Sequence, residues 1–92
     1  MADNYGSVTI QTTATLILAN NTQRLSWLMS NEGSTIYFGP NSSIGTQGSP
    51  HLISDGSFGE DSGGHSVYKG DIYGACTAGT STVYYWERTG RL

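Results

Sequence analysis

Ninety-two residues, 36% hydrophobic and only 12% charged, make one domain able to bury a single small core. The formal net charge is −3, and Arg24, Lys69, Arg88 and Arg91 stand singly, which argues against nucleic acid and against an anionic membrane surface as partners. Cys76 is the only cysteine, no apolar run approaches the ~20 residues of a membrane span, and the N-terminus lacks a signal pattern, so folding in a cytoplasm is expected.

Residues 1–6 are polar and without periodicity apart from Tyr5. They read as an N-terminal arm, either frayed or ordered against a neighbouring subunit with Tyr5 as its anchor. Residues 7–88 form a single β domain, and residues 89–92 a tail without signal. In 7–13, Val8 and Ile10 alternate with Thr9 and Gln11, the period of two that marks a strand. Residues 15–18, TLIL, are a shorter and more continuously apolar strand, closed by the turn 19–22.

The stretch 24–39 is the centre of the pattern. Leu25, Trp27 and Met29 alternate with Ser26 and Ser30, and Ile36 and Phe38 alternate with Thr35 and Tyr37. Asn31-Glu32-Gly33-Ser34 between them is a turn signal, so the stretch predicts a core hairpin with one apolar face. A long loop, 39–50, follows, in which Ile44 is the one aliphatic residue and tucks the loop onto the body. Residues 51–54 predict a four-residue strand ended by Asp55-Gly56-Ser57. Residues 57–64 predict a loop or a poor edge strand, and 65–68 a short strand. Residues 71–77 resume alternation, and 82–88 are the last strand. Val83 and Tyr85 share one of its faces, Tyr84 and Trp86 the other.

No helical stripe ten residues long occurs. About seven or eight short strands, with turn signals every eight to twelve residues, predict an all-β fold, a small antiparallel β-sandwich or barrel.

Chemistry-bearing residues do not assemble by spacing. His51, His65, Asp55, Glu60, Asp61 and Asp71 show no HxH or HxxxH pattern and no cysteine pair, so solvated loop positions are expected rather than a metal site. The acidic loop lacks calcium-loop spacing. Twelve serines make chance triads inevitable, no GxSxG is present, and Cys76 sits in a strand, where a buried inert thiol is expected. Neither catalytic residues nor a cofactor are predicted. The aromatic residues are more informative: with one face of 82–88 turned to the core, Tyr84 and Trp86 point outward. They anchor a subunit interface, stack sugars, or lie under the chain's own loop.

Ala19-Asn20, Arg24, Ser26, Asn31, Gly33-Ser34, Ile36-Tyr37 and Gly39, then 52–56, 70–75 and 79–83, resemble small β-sandwich virion proteins of tailed bacteriophages. The likeness spans roughly residues 19–87, and the loop 57–69 departs from it in length and glycine content. The resemblance implies a non-enzymatic structural component of a phage particle, assembled in the host cytoplasm. Such a component is a capsid decoration (cement) protein bridging subunits of the major capsid protein, or a tail or fibre accessory binding host-surface carbohydrate. It further implies a homo-oligomer, often a trimer. On this reading Tyr5, Ile44, Tyr84 and Trp86 are the interface candidates.

Overall fold

The computed structural model describes residues 2–44, 49–61 and 67–90. Among them the chain forms eight strands and no helix: β1 (Ala2–Ile10), β2 (Thr15–Leu18), β3 (Arg24–Gly33), β4 (Ile36–Gly39), β5 (His51–Leu52), β6 (Ser57–Asp61), β7 (Ile72–Cys76) and β8 (Ser81–Thr89). They pair antiparallel into two four-stranded sheets, β1-β8-β3-β6 and β2-β7-β4-β5. The chain passes from one sheet to the other at every connection except β4 to β5, which is the winding of a double-sheet jelly roll. The expected small β-sandwich is thus the architecture found.

Period-two alternation explains the packing. Ile10, Trp27, Met29 and Val83 turn inward from the first sheet. Ile17, Leu18, Ile36, Phe38, Leu52 and Ile72 meet them from the second. Met29, Ile36, Val83 and Ile10 are wholly removed from solvent, so the most deeply buried part of the core lies toward the end of β1 and the start of β8 rather than at the chain's first residues.

The stretch 24–39 departs from the expected hairpin. β3 lies between β8 and β6 in one sheet, whereas β4 lies between β7 and β5 in the other. The two strands therefore face each other across the core rather than lying side by side. A hairpin and an arch between sheets both demand one apolar face on each strand, so the alternation is the same for either. The arch is held by Asn31, which is part of β3 and fully buried rather than a turn residue. Its Nδ2 donates to the carbonyls of Ser34 (2.9 Å), Leu52 (3.0 Å) and Ile53 (3.2 Å). The Ser81 hydroxyl donates to Asn31 Oδ1 and to the Glu32 carbonyl. Gly33 completes the arch at φ 123°, and a Cβ there would press on Ser81 Oγ at 2.9 Å.

The chain ends also depart from expectation. Residues 2–6, read as an arm, are the first half of β1, pairing in register with 85–89 of β8. Thr89, read as the start of the tail, is the last residue of β8 and pairs with Ala2 and Arg24. Polar side chains on an edge strand need no burial, because backbone bonds to β8 hold the segment. The expected strand at 51–54 shortens to two residues, since Ile53 and Ser54 already belong to the turn in which Asp55 takes φ 63°. Residues 57–61 are an edge strand with every residue exposed. Of the predicted strand 65–68, His65 and Ser66 lie outside the described residues, and Val67 and Tyr68 are not in a strand.

Candidate interaction face

The outward side of the first sheet gathers four of the exposed large apolar residues, Tyr5, Leu28, Tyr84 and Trp86, into one surface. In the ladder Tyr5 stands opposite Trp86, Trp86 opposite Leu28, and Leu28 opposite Gly59. The neighbouring row is Ser7, Tyr84, Ser30 and Ser57. Side chains directly opposite on one face lie about 4.5–5.5 Å apart at Cβ, so Tyr5, Trp86 and Leu28 form one continuous stripe across three strands. Tyr5 is 77% exposed, Tyr84 and Trp86 46% each, and Leu28 44%. Val83, on the opposite face of β8, is fully buried, and Tyr85 packs against the core, as the alternation of 82–88 predicts.

The face is not flat. At its β6 side a groove of about 350 Å³ is bounded by Leu28, Trp86, Arg88, Glu60 and Asp61. Its floor is open because position 59 is glycine. A Cβ on Gly59 would overlap the Trp27 carbonyl oxygen and press on the Leu28 backbone, so the close approach of β6 to β3 requires the missing side chain. Glu60 is held on the inward side: its Oε1 accepts from Trp27 Nε1 at 2.8 Å and from the Tyr68 amide at 3.1 Å.

Three of the four sequence-derived candidates, Tyr5, Tyr84 and Trp86, therefore share one surface. Ile44 does not: its Cγ2 occupies the space beside Gly39 at the end of β4, in the other sheet, as expected for a residue that tucks its loop onto the body. Leu28 belongs to the face although the alternation of Leu25, Trp27 and Met29 draws attention to the opposite side of the same strand. Its even position, between two inward residues, is the signal for it.

A second apolar cleft of about 320 Å³ opens between the sheets at the β4–β6 side, lined by Trp27, Phe38, Pro40, Pro50, Phe58 and Tyr68. The Phe58 ring lies 5.4 Å from that of Trp27 and 5.2 Å from that of Phe38, so an edge-strand aromatic closes the core at this side.

The polar candidates stay apart. Among the described residues no group of three or more His, Cys, Asp or Glu could hold a metal ion, and His65 lies outside those residues. His51 stacks edge-on against Tyr37, with ring centroids 4.3 Å apart. Asp71 accepts from the backbone amide of Asn20 at 2.7 Å and so ties the loop before β3 to β7. Cys76 is buried, its thiol donates to the Ile10 carbonyl at 3.1 Å, and desolvation pushes its pKa up. No helix long and apolar enough to cross a membrane occurs among the described residues. Comparison with protein-family models, with curated proteins and with solved structures found no match.

Proposed function

We propose that this chain is a non-enzymatic virion structural protein of a tailed bacteriophage, a capsid decoration protein that bridges neighbouring subunits of the major capsid protein and itself acts as a homo-oligomer. The observation that carries the reading is the outer face of the first sheet, where Tyr5, Leu28, Tyr84 and Trp86 stand exposed on three adjacent strands. Large aromatic side chains grouped on a polar-rimmed surface are what protein contacts are anchored on. Low overall charge suits a surface that ends against other protein. A standard contact buries about 800 Å² per partner, a considerable share of the 5352 Å² accessible surface.

A second reading has its own observation. The groove beside Trp86 sets an indole next to Arg88 and Asp61, a combination that also suits stacking and hydrogen bonding of a sugar ring, as a tail or fibre accessory would use. Viral coat and lectin domains share the double-sheet winding, an analogy of fold that weighs equally for both.

Co-sedimentation with empty capsids is the test. Saturable binding that is lost in Trp86→Ser supports the decoration role. Absence of binding together with Trp86-dependent retention on a glycan array would replace it with the sugar reading.

A further inference from the structure

The four sheet edges are not equivalent. β5 is two residues long, and β2 is four residues long with a register shift between Leu16 and Leu18. β6 carries the carboxylates of Glu60 and Asp61. Shortness, irregularity and charge are the devices by which natural sheets blunt their edges. β1 is neither short nor irregular, and it carries a single charge near one end. It is nine residues long, runs against β8 in unbroken register from Ala2–Thr89 to Ile10–Ser81, and contains no Lys, Arg or Pro. Its one charged residue is Asp3. Among the described residues β1 is paired with β8 alone, so its outer row of N–H and C=O groups has no strand against it.

We infer that β1 pairs antiparallel with β1 of a second copy of this chain, joining two four-stranded sheets into one eight-stranded sheet. This rests on the self-association in the reading above and names the contact that produces it. Full overlap of two such strands centres the pairing on Gly6, the middle of Ala2–Ile10. Tyr5 then stands opposite Ser7 of the other copy, Asn4 opposite Val8, and Asp3 opposite Thr9. Residues that face outward meet residues that face outward, so the two outer faces become one. Asp3 does not meet itself. Tyr5, 77% exposed in the single chain, lies diagonal to its own copy, within reach for an aromatic ring. The stripe Leu28–Trp86–Tyr5 thereby continues as Tyr5–Trp86–Leu28 across the junction. A strand of some other protein would supply the backbone bonds but not this match. The contact is isologous and closes at two copies.

The register makes the test specific. Thr9 is exposed and stands beside Thr82 in its own sheet, so its replacement leaves the fold intact, which a thermal melt verifies. Thr9→Lys places a cation opposite Asp3 of the other copy, twice per dimer, and tightens the dimer roughly 2- to 30-fold. Thr9→Asp weakens it by a similar factor, and both effects disappear on an Asp3→Asn background. Sedimentation equilibrium of the full chain and these variants reads the dissociation constants. Dimers that respond with opposite signs support the inference. An oligomer of any size that ignores the charge at position 9, or a trimer, overturns edge pairing while self-association stands. A chain that stays monomeric at all concentrations overturns both.

Discussion

Arg24 Nε donates to Glu87 Oε2 at 2.6 Å, and both side chains are almost wholly buried, at 0% and 4% exposure. Strict alternation would turn Arg24 outward, because Trp27, Met29 and Asn31 point in. A bulge reverses it: the register of β3 on β8 shifts between Arg24 and Ser26, so Leu25 is the extra residue and Arg24 rejoins the inward face. Arg24 also donates through its terminal nitrogens to the carbonyls of Tyr68 (2.9 Å), Gly70 (3.1 Å) and Ala19 (2.7 Å). One guanidinium therefore ties β3 and β8 to the two segments that flank β2 and β7. Asn31 does the equivalent work at the far end of the same strand.

Breaking this pair from one side is expected to be severe. Arg24→Met and Glu87→Met each leave a buried partner charge or orphaned carbonyls, a loss of about 3–5 kcal/mol. The double replacement Arg24→Met/Glu87→Met is expected to cost much less than the sum of the two single changes. Urea unfolding of the four chains gives the coupling directly. Additive losses would show that the pair is not the source of the stability.

At the other end, Asn31→Ala removes the donor for three carbonyls and is expected to cost about 2–3 kcal/mol, whereas Ser81→Ala, which removes one hydroxyl, costs about 1 kcal/mol. The turn 53–56 is joined to the same residue twice, by Asp55 N–H to the Asn31 main-chain carbonyl at 2.7 Å, which the substitution leaves, and by the Asn31 side chain to the Leu52 and Ile53 carbonyls, which it removes. Hydrogen exchange at the Asp55 amide is expected to accelerate in Asn31→Ala before global unfolding. Unchanged protection there would separate the turn from the clip.

Gly59 and Gly6, both in the first sheet, are expected to behave differently. At Gly59 a Cβ meets the Trp27 and Leu28 backbones, so Gly59→Ala forces β6 away from β3 and costs about 1–3 kcal/mol. At Gly6 the nearest atom is the Tyr85 hydroxyl at 3.0 Å, the end of a side chain that can move. Gly6→Ala is therefore expected to stay within about 1 kcal/mol of the parent chain. Equal losses in thermal unfolding would contradict this difference.

Cys76 is expected to resist thiol reagents in the folded chain and to react once the chain unfolds. Burial raises its pKa, so at any pH below the folded value less thiolate is present than in a free cysteine, and the shielded sulfur is out of reach as well. Raising the pH through the ordinary thiol range increases labelling of the unfolded chain first. Prompt labelling of the native chain at neutral pH would contradict the burial.

Leu28→Ser and Trp86→Ser are expected to cost under about 1 kcal/mol each, since both residues are nearly half exposed. Their effect should fall on partner binding. A large loss of stability in either would make the stripe part of the chain's own packing instead.

The amino-acid sequence by itself determined the class of the fold, the positions of most strands and the two faces of β8. Those properties follow from local sterics and from a period of two, which any half-buried strand must show whatever its neighbours. It placed Tyr84 and Trp86 outside and Val83 inside for the same reason, and it pointed to Tyr5. Which strands pair was decided only in three dimensions. Hairpin and arch carry the same alternation, so the partition of β3 and β4 between two sheets shows only in the fold, where the Asn31 side chain meets the carbonyls of Ser34, Leu52 and Ile53 across the arch. The inward turn of Arg24 depends on one extra residue in the β8 register, a count that becomes visible only when two strands lie side by side. The stripe of Tyr5, Trp86 and Leu28 is likewise a property of the ladder. Residues far apart in the chain become neighbours because β8 lies between β1 and β3, and among the described residues β1 is the edge of that sheet.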